Sequence, residues 1–203
     1  MDFQTSQTKE NLMRAFAGES QARNRYTFAA GEALKQKQHM IADVFYLTAN
    51  QEKEHALIFY NHLQELAGQS IQIDGSYPVD LSTDLTTLLD YASHNEFEEA
   101  DDVYLRFAEV AKQEGFLKVA QDFLNIADIE KVHGKRFLKI AELIKSNQLY
   151  SSPSTTTWFC LNCGFIFEGT QVPEKCPVCD HDQGYFMRLG SAPYTCEDLY
   201  KKQ

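Results

Sequence analysis

The spacing of hydrophobic positions predicts long amphipathic helices over most of the chain. Between about residues 5 and 66, apolar side chains recur three and four positions apart, which places them on one face of a helix. The polar residues 35–38 interrupt the pattern, so we expect two helices joined by a short turn and packed antiparallel. The inward face of the second helix is the most complete, and it comprises Ala42, Phe45, Ala49, Glu52, Ala56, Phe59 and Leu63.

A second pair of helices is predicted after a long connection. Residues 68–83 contain Gly, Pro and Ser and have no helical period, which indicates a crossing loop. The third helix is expected to begin at the capping pair 82–83 and to reach about Gln113. Gly115 breaks the helical pattern, and the fourth helix is expected to continue to about Lys145.

The two helix pairs are related by an internal repeat in which identical residues lie 78 positions apart. Such a repeat implies a pseudo-twofold arrangement, and one long crossover between two hairpins is the connectivity of ferritin-like bundles. We therefore predict a mainly α fold with a ferritin-like four-helix bundle over residues 1–149. The matched pairs are Tyr26/Tyr104, Ala33/Ala111, Ala42/Ala120, Phe45/Phe123, Ala49/Ala127, Glu52/Glu130 and His55/His133.

The composition changes after Leu149. Residues 150–157 are rich in Ser and Thr and are predicted to form a linker. Residues 158–203 begin with a short segment that is aromatic and rich in Cys, Gly and Pro. This segment predicts a small separate metal domain, followed by a C-terminal tail.

The chain carries a formal charge of −10 and has a pI of about 5.0. A protein that binds a nucleic-acid backbone needs a basic face, so this class is not expected. No stretch approaches roughly 18 consecutive apolar residues and no basic-then-apolar leader is present, so we expect a cytoplasmic protein that neither enters a membrane nor is secreted. Four of the five Cys form two C-x-x-C pairs, which in this setting favours metal over disulfides.

Two Glu-x-x-His motifs provide candidate metal ligands. Glu52 with His55, and Glu130 with His133, lie three residues apart on inward faces of the second and fourth helices. Burying a carboxylate without a partner costs several kcal/mol, so a buried cluster must be protonated or bound to cations. The first and third helices add further inward carboxylates, namely Glu19, Glu96 and Glu99.

The charge of this set favours two divalent ions. Two such ions nearly neutralise five glutamates, and mixed oxygen and nitrogen ligands suit iron or manganese better than zinc or calcium. A single Glu-x-x-His motif is more often a solvated pair on a helix surface. Two copies at matched repeat positions, with carboxylates on both partner helices, reverse that preference and match the known arrangement of ferritin-like di-iron proteins.

The Cys-rich segment predicts a second metal site with thiolate ligands. Cys160 and Cys163 are separated by twelve residues from Cys176 and Cys179, and two such pairs bind a tetrahedral zinc or iron. Spacing alone does not decide between a zinc ribbon and an iron site. A surrounding aromatic shell is expected from Trp158, Phe159, Phe165, Phe167 and Phe186.

These motifs, in this order, resemble the rubrerythrin family. The resemblance covers nearly the whole chain and rests on FAGESQARNRY (16–26), EKEH (52–55), Glu-x-x-Glu (96–99), EKVH (130–133) and CxxCG followed by CPxC. It implies a di-iron bundle joined to a rubredoxin-like domain. The single iron of that domain, for which zinc can substitute, would be held by Cys160, Cys163, Cys176 and Cys179.

The resemblance also implies roles for individual residues. Glu52 and Glu130 would bridge the two irons, and His55 would exchange with Glu99 as a ligand when one iron moves between oxidation states. The implied di-iron ligands are Glu19, Glu52, Glu96, Glu99, Glu130 and His133, with His55 in the reduced state. The residues implied to take part in catalysis are Glu99, His55, Tyr26 and Tyr104, the two tyrosines as hydrogen-bond donors to ligands.

In function, the resemblance implies a non-haem peroxidase that reduces hydrogen peroxide to water in defence against oxidative stress. Electrons would come from NAD(P)H through separate carriers, such as a rubredoxin or its reductase, and would pass through the Cys-ligated iron. A homodimer or small homo-oligomer is expected. Ferroxidase or iron-storage activity is the second interpretation, because the bundle is ferritin-like, and a zinc-ribbon binding protein without redox chemistry is the third.

Two features depart from the family pattern. Asn95 stands where a glycine often precedes the first glutamate of the third helix, a change with little bearing on the chemistry. Residues after Gly190, including the unpaired Cys196, extend beyond the usual end of the family and are expected to form a surface tail.

Overall fold

A computed structural model describes residues 1–192, so Cys196 and most of the expected tail lie outside the described residues. The predicted mainly α bundle with one long crossover is confirmed. Helix α1 packs against α2, and α3 and α4 pack against α5. In the described part of the chain, no helix combines the length and the apolar character that a bilayer crossing requires. The helices are α1 Gln7–Lys35, α2 His39–Asn61, α3 Leu85–Glu98, α4 Tyr104–Glu114 and α5 Leu117–Lys145.

The third helix of the bundle differs in detail from its sequence prediction. It begins one residue later than expected, because Asp84 rather than the pair 82–83 accepts the capping hydrogen bond, from the Thr87 backbone N–H at 2.7 Å. A π-helical turn, Glu99–Val103, joins α3 to α4. Gly115 then ends α4 with a φ of 91°, a left-handed conformation that glycine adopts at little cost.

Two aromatic clusters pack on either side of the Glu-x-x-His positions. Along both α2 and α5, one cluster precedes these positions and the other follows them. The ring centroids within each cluster are 4.9–6.0 Å apart, and the clusters are related by the same shift of 78 positions as the sequence repeat. The pseudo-twofold symmetry therefore extends to the core. The clusters are Tyr26, Phe45 and Phe137, and Tyr104, Phe123 and Phe59.

The C-terminal part forms a three-stranded antiparallel sheet of order β2-β1-β3. Its strands are β1 Ser151–Cys160, β2 Ile166–Gln171 and β3 Phe186–Arg188. Residues 151–157, which the sequence predicts to be a linker, instead form the first part of β1. The physical reason is pairing with β2 at both ends of this segment, Ser151 opposite Gln171 and Thr156 opposite Gly169, with an irregularity in between. The division into domains itself stays a prediction.

The sheet region is docked on the turn between α1 and α2. The rings of His39 and Tyr185 stack with centroids 3.8 Å apart, and Tyr150 donates a hydrogen bond to Gln38. Met187 of β3 is buried within an apolar cluster of the bundle. These contacts fix the position of the Cys-rich region relative to the bundle.

Candidate metal centres

The Glu-x-x-His motifs bring two buried ligand sets together inside the bundle. In each set, one ligand atom from every residue lies within 4.8 Å of the others. Glu52 and Glu130 belong to both sets, so the arrangement is one of two neighbouring sites that share two carboxylates. The sets are Glu19, Glu52, His55 and Glu130, and Glu52, Glu96, Glu130 and His133.

Each histidine contacts both shared carboxylates. His55 Nδ1 lies 3.0 Å from Glu52 Oε2 and 2.8 Å from Glu130 Oε1. His133 Nδ1 lies 2.9 Å from Glu52 Oε1 and 2.8 Å from Glu130 Oε2. The two imidazole rings are nearly parallel, with an interplanar angle of 16°. This symmetry follows from the repeat, since the motifs occupy equivalent turns of α2 and α5.

Many polar atoms of this cluster have no hydrogen-bond partner although they are buried. A short distance does not by itself give a hydrogen bond here: His133 Nδ1 lies 2.9 Å from Glu52 Oε1, and neither atom has a hydrogen-bond partner. Leaving buried polar atoms unpaired costs about 1–3 kcal/mol each, whereas ligation of cations would satisfy them together. The residues therefore fit two metal ions. The unpaired atoms in the cluster are Glu19 Oε2, Glu52 Oε1, Glu96 Oε2, both Glu130 oxygens and both His133 nitrogens.

The electrostatics of the metal-free cluster are those of carboxylates that compete for positive charge. Burial, together with the neighbouring carboxylates, raises the pKa of Glu19 and of Glu96 well above the usual range. Burial opposes ionisation of Glu52 as well, but the close approach of the positively charged rings of His133 and His55 brings its pKa down to about 2. The pKa of His133, which burial alone would lower, rises to about 11 beside Glu130 and Glu52. The imidazolium groups thus occupy the role that cations would take.

Two buried tyrosines donate hydrogen bonds to the two carboxylates that the ligand sets do not share, those of Glu19 and Glu96, and each bond crosses the pseudo-twofold axis. Tyr26 of α1 donates its hydroxyl hydrogen bond to Glu96 of α3, and Tyr104 of α4 donates to Glu19 of α1. Each tyrosine therefore supports a candidate ligand from the opposite half of the repeat and links the two halves.

Glu99 lies in neither ligand set among the described residues. It is half-buried at the start of the π-helical turn, and burial together with Glu19 and other carboxylates raises its pKa well above the usual range. The sequence carries a signal for this turn that the helical period alone does not give. Glu19 and Glu96 are 77 positions apart while Tyr26 and Tyr104 are 78 apart, so the third helix holds one additional residue between ligand and tyrosine.

Arg136 is a further residue near the cluster that the motifs do not identify. Its guanidinium, on α5, donates to Thr48 Oγ1 at 2.8 Å and to Gln51 Oε1 at 3.0 Å on α2. Burial lowers its pKa, while Glu96 and Glu52 favour its charged form. Only the second copy of the repeat carries this arginine, since Ile58 is its counterpart.

The four cysteines converge in the small sheet region. The Sγ atoms of Cys160 and Cys179 are 3.9 Å apart, those of Cys163 and Cys176 are 3.7 Å apart, and all four lie within 4.8 Å of one another. Gly164 follows the first pair with a φ of 77°, and its N–H donates to the Cys160 carbonyl at 2.8 Å. This turn forms one of the two knuckles that present sulfur atoms to a common centre.

The thiols differ in their surroundings. Burial raises the pKa of Cys160 to about 12, whereas the backbone N–H of His181 lowers the pKa of Cys179 to about 6. Trp158 is fully buried beside the cluster and carries the Arg188 guanidinium 4.9 Å above its ring. The donor set and its apolar shell fit one tetrahedral metal ion.

The chain combines a ferritin-like bundle, in which two ligand sets share two carboxylates, with a small region in which four thiols converge. This combination defines a class of proteins with a dinuclear metal site and a separate one-metal redox module. Comparison with known proteins narrows this class. The rubrerythrin family model matches residues 10–86 and 87–163, and the model for the rubredoxin-like domain of rubrerythrin matches residues 158–187. The chain belongs to the rubrerythrin family.

Individual relatives agree with this assignment. Rubrerythrin of Clostridium perfringens is 44% identical over 89% of this chain and 93% of its own length, and rubrerythrin of Nitratidesulfovibrio vulgaris is 40% identical over 91% and 95%. The fully reduced, all-ferrous structure of nigerythrin superposes with a TM-score of 0.61 at 28% identity, covering 91% of this chain and 90% of that one. Bacterioferritin of Desulfovibrio desulfuricans, at 23% identity and a TM-score of 0.61, shares the bundle fold and covers 70% of this chain and 81% of that one.

Family membership and the ligand sets together indicate iron in both centres. The chain is a di-iron protein with a rubredoxin-like domain, which implies oxidoreductase chemistry in defence against oxidative stress. The rubredoxin-like domain implies electron transfer with redox partners.

Proposed function

We propose that this protein is a peroxidase that reduces hydrogen peroxide to water at its di-iron site and receives electrons through its Cys-ligated iron. The observation that carries the proposal is the pair of ligand sets sharing Glu52 and Glu130, which holds two metals side by side in a chain with its own redox module. When bound, two ferrous ions supply the two electrons that, with two protons, convert one peroxide molecule to two waters.

The protein residues hold the ions and set the surroundings of the reaction. Glu52 and Glu130 would bridge, while Glu19 and Glu96 would each bind one ion and keep their orientation through Tyr104 and Tyr26. The aromatic clusters on both sides keep bulk water away from the glutamates and histidines, which strengthens the charge interactions among them.

We further propose that Glu99 and His55 exchange as ligands between oxidation states. The proposal is supported by the placement of His55 within a ligand set, with Glu99 outside both sets at the start of the adjoining π-helical turn. The test is Glu99→Ala in the iron-loaded protein. The variant should retain most of its iron but react more slowly with peroxide in stopped-flow oxidation of the reduced state. An unchanged oxidation rate would remove Glu99 from the catalytic cycle.

Electron delivery is proposed to occur between two copies of the chain. His39 contacts the Cys-rich region, and Glu52 lies thirteen residues further along α2, which corresponds to about 20 Å at ~1.5 Å per residue. A shorter route requires the module of a second subunit. Analytical ultracentrifugation combined with turnover assays tests this, and a fully active monomer would contradict it. The proximal electron source is proposed to be an NAD(P)H-dependent reductase acting through a rubredoxin-type carrier.

Metal analysis with optical spectra before and after peroxide addition tests the whole proposal. A peroxidase should contain three irons per chain, show the red colour of ferric tetrathiolate, and oxidise its di-iron site with one peroxide per two electrons. Ferroxidase or storage activity is the competing function. It predicts instead a large closed assembly by sedimentation and net uptake of added ferrous ion. A colourless, zinc-containing protein would favour a binding role.

A further inference from the structure

The crossing loop between α2 and α3 is fastened across the bundle at two points. Arg14 of α1 binds Asp74, with Nη2 2.6 Å from Oδ1 and Nε donating to the Asp74 carbonyl at 3.2 Å. Six residues further along, Asp80 pairs with Arg25 and accepts a hydrogen bond from Asn95 of α3 at 2.7 Å. The residues 74–80 therefore form a strap whose two ends are held by charge pairs on helices.

A cavity of about 220 Å³ lies beneath this strap. Its wall contains Glu99, a candidate iron ligand, and Tyr104, whose hydroxyl donates to the ligand Glu19. Because the same cavity is also bounded by the partly exposed strap, it extends from the protein surface to Glu99 and Tyr104, the latter hydrogen-bonded to Glu19 of the cluster. The remaining wall residues used below are Gly18 of α1 and Gly75 and Tyr77 of the strap.

Tyr77 is the large side chain that the strap contributes to this wall. Its hydroxyl donates to the Arg14 carbonyl at 3.0 Å, which holds the ring between strap and helix. A Cβ atom added to Gly18 would lie 3.8 Å from the ring, and one added to Gly75 would lie only 3.0 Å from it. Glycine at both positions thus leaves the space in which the tyrosine ring lies against the cavity.

We propose that this cavity is the entrance through which hydroperoxide reaches the di-iron site, and that Tyr77 limits the size of the hydroperoxide that enters. The inference rests on the proposed peroxidase function. Hydrogen peroxide occupies roughly the volume of two waters, about 60 Å³ at ~30 Å³ each, and fits the cavity with the ring in place. A hydroperoxide carrying a phenyl group would have to displace the ring, which is fastened by the contact to Arg14.

The test compares hydrogen peroxide with cumene hydroperoxide in stopped-flow oxidation of the reduced, iron-loaded full chain. Tyr77→Ala should raise the rate with cumene hydroperoxide about tenfold or more, in the range by which apolar pockets discriminate, and change the rate with hydrogen peroxide far less. Tyr77→Phe keeps the ring but loses the hydroxyl contact to Arg14, so it should raise the rate with cumene hydroperoxide by less than Tyr77→Ala does. Tyr91→Ala, which truncates an exposed tyrosine of α3 outside the cavity, is the matched control.

A second measurement separates the entrance from the peroxidase activity. In the cobalt-loaded protein, azide binding can be followed from the visible absorption of the metal, and Tyr77→Ala should accelerate its association. Faster azide entry without any peroxide reduction would support the entrance and reject the peroxidase. Normal peroxide reduction, with azide association and cumene selectivity both unchanged in Tyr77→Ala, would overturn the entrance alone. If Tyr77→Ala does not fold, Gly18→Val fills the same cavity from the helix side and should slow azide association.

Discussion

The hydrogen bond from Tyr104 to Glu19 offers a direct test of how the protein holds one of its two irons. The Tyr104→Phe substitution removes one hydroxyl group and preserves the ring that packs against Phe59 and Phe123. The other carboxylate oxygen of Glu19 has no hydrogen-bond partner, so the variant leaves this carboxylate without a protein donor. Tyr26→Phe makes the equivalent change at Glu96 and serves as the matched variant.

The size of the effect depends on the charge of Glu19. Burial and the nearby Glu130 raise its pKa, which favours the neutral acid in the metal-free protein, and a hydrogen bond to a neutral group is worth about 1 kcal/mol of stability. Binding a metal requires the carboxylate form, for which a hydrogen bond is worth about 1.5–3 kcal/mol. The difference, about 0.5–2 kcal/mol, appears as metal affinity and corresponds to roughly 2–30-fold weaker binding. This range overlaps the effect of about 10–100-fold that is typical when a group supporting a metal ligand is removed.

The assay is an anaerobic titration with Co²⁺ after the cysteine site has been filled with zinc. Tyr104→Phe should lower the affinity for the ion at Glu19 and His55, and Tyr26→Phe should lower the affinity for the ion at Glu96 and His133. The double variant should show both losses. If both single variants bind Co²⁺ with affinities within about twofold of the unmodified protein, the two tyrosines do not support the ligands, and the reasoning from buried hydrogen bonds is refuted.

Two further predictions concern stability and domain contact. In the metal-free protein, Glu19 and His133 both have raised pKa values, so the folded state binds more protons than the unfolded state above about pH 4.5. The free energy of unfolding, measured with urea in the presence of a chelator, should therefore fall from about pH 5 to about pH 9. A rise over this range would contradict the raised pKa values. Gly184→Ala would place a Cβ atom 1.8 Å from the Lys37 carbonyl oxygen, so the Cys-rich region should separate from the bundle. Limited proteolysis should then cleave the chain between the two regions faster. Gly31→Ala, with open space around its added Cβ atom, is the control and should leave the contact between the regions intact.

The cluster of glutamates and histidines could be predicted from the sequence because the Glu-x-x-His motif is local and occurs twice. Glu52 and His55 fall on one helical face by their spacing alone, and the matching pair at Glu130 and His133 shows that the motif is not accidental. The fold class follows from the same repeat. Ring contacts such as Tyr26 with Phe137 were not predicted as pairs, but the repeat already requires two equivalent clusters.

The parts that could not be predicted depend on contacts between distant segments. The Ser/Thr-rich residues 151–157 resemble a linker until the pairing of β1 with β2 is known. The docking of Tyr185 on His39 joins positions that no periodic pattern relates. The strap at residues 74–80 has no helical or strand period, and its place over the cavity is set by side chains on α1 and α3.

The π-helical turn explains how a nearly symmetric bundle can hold two unequal sites. The repeat alone would give each iron one outer glutamate, one histidine and the two shared carboxylates, and nothing in that set distinguishes the ions. The additional residue accompanies the π-helical turn, whose first residue, Glu99, is a second carboxylate with no counterpart in α1 and lies at the cavity under Tyr77. In the proposed cycle, the iron held by Glu19 and His55 would be the one with both an alternative ligand and an entrance beside it, while Arg136 stands only on the opposite half of the repeat. Asymmetry of this kind would let one ion change its ligands while the other stays fixed, and the proposed cycle between oxidation states requires this if the site is to keep its metal.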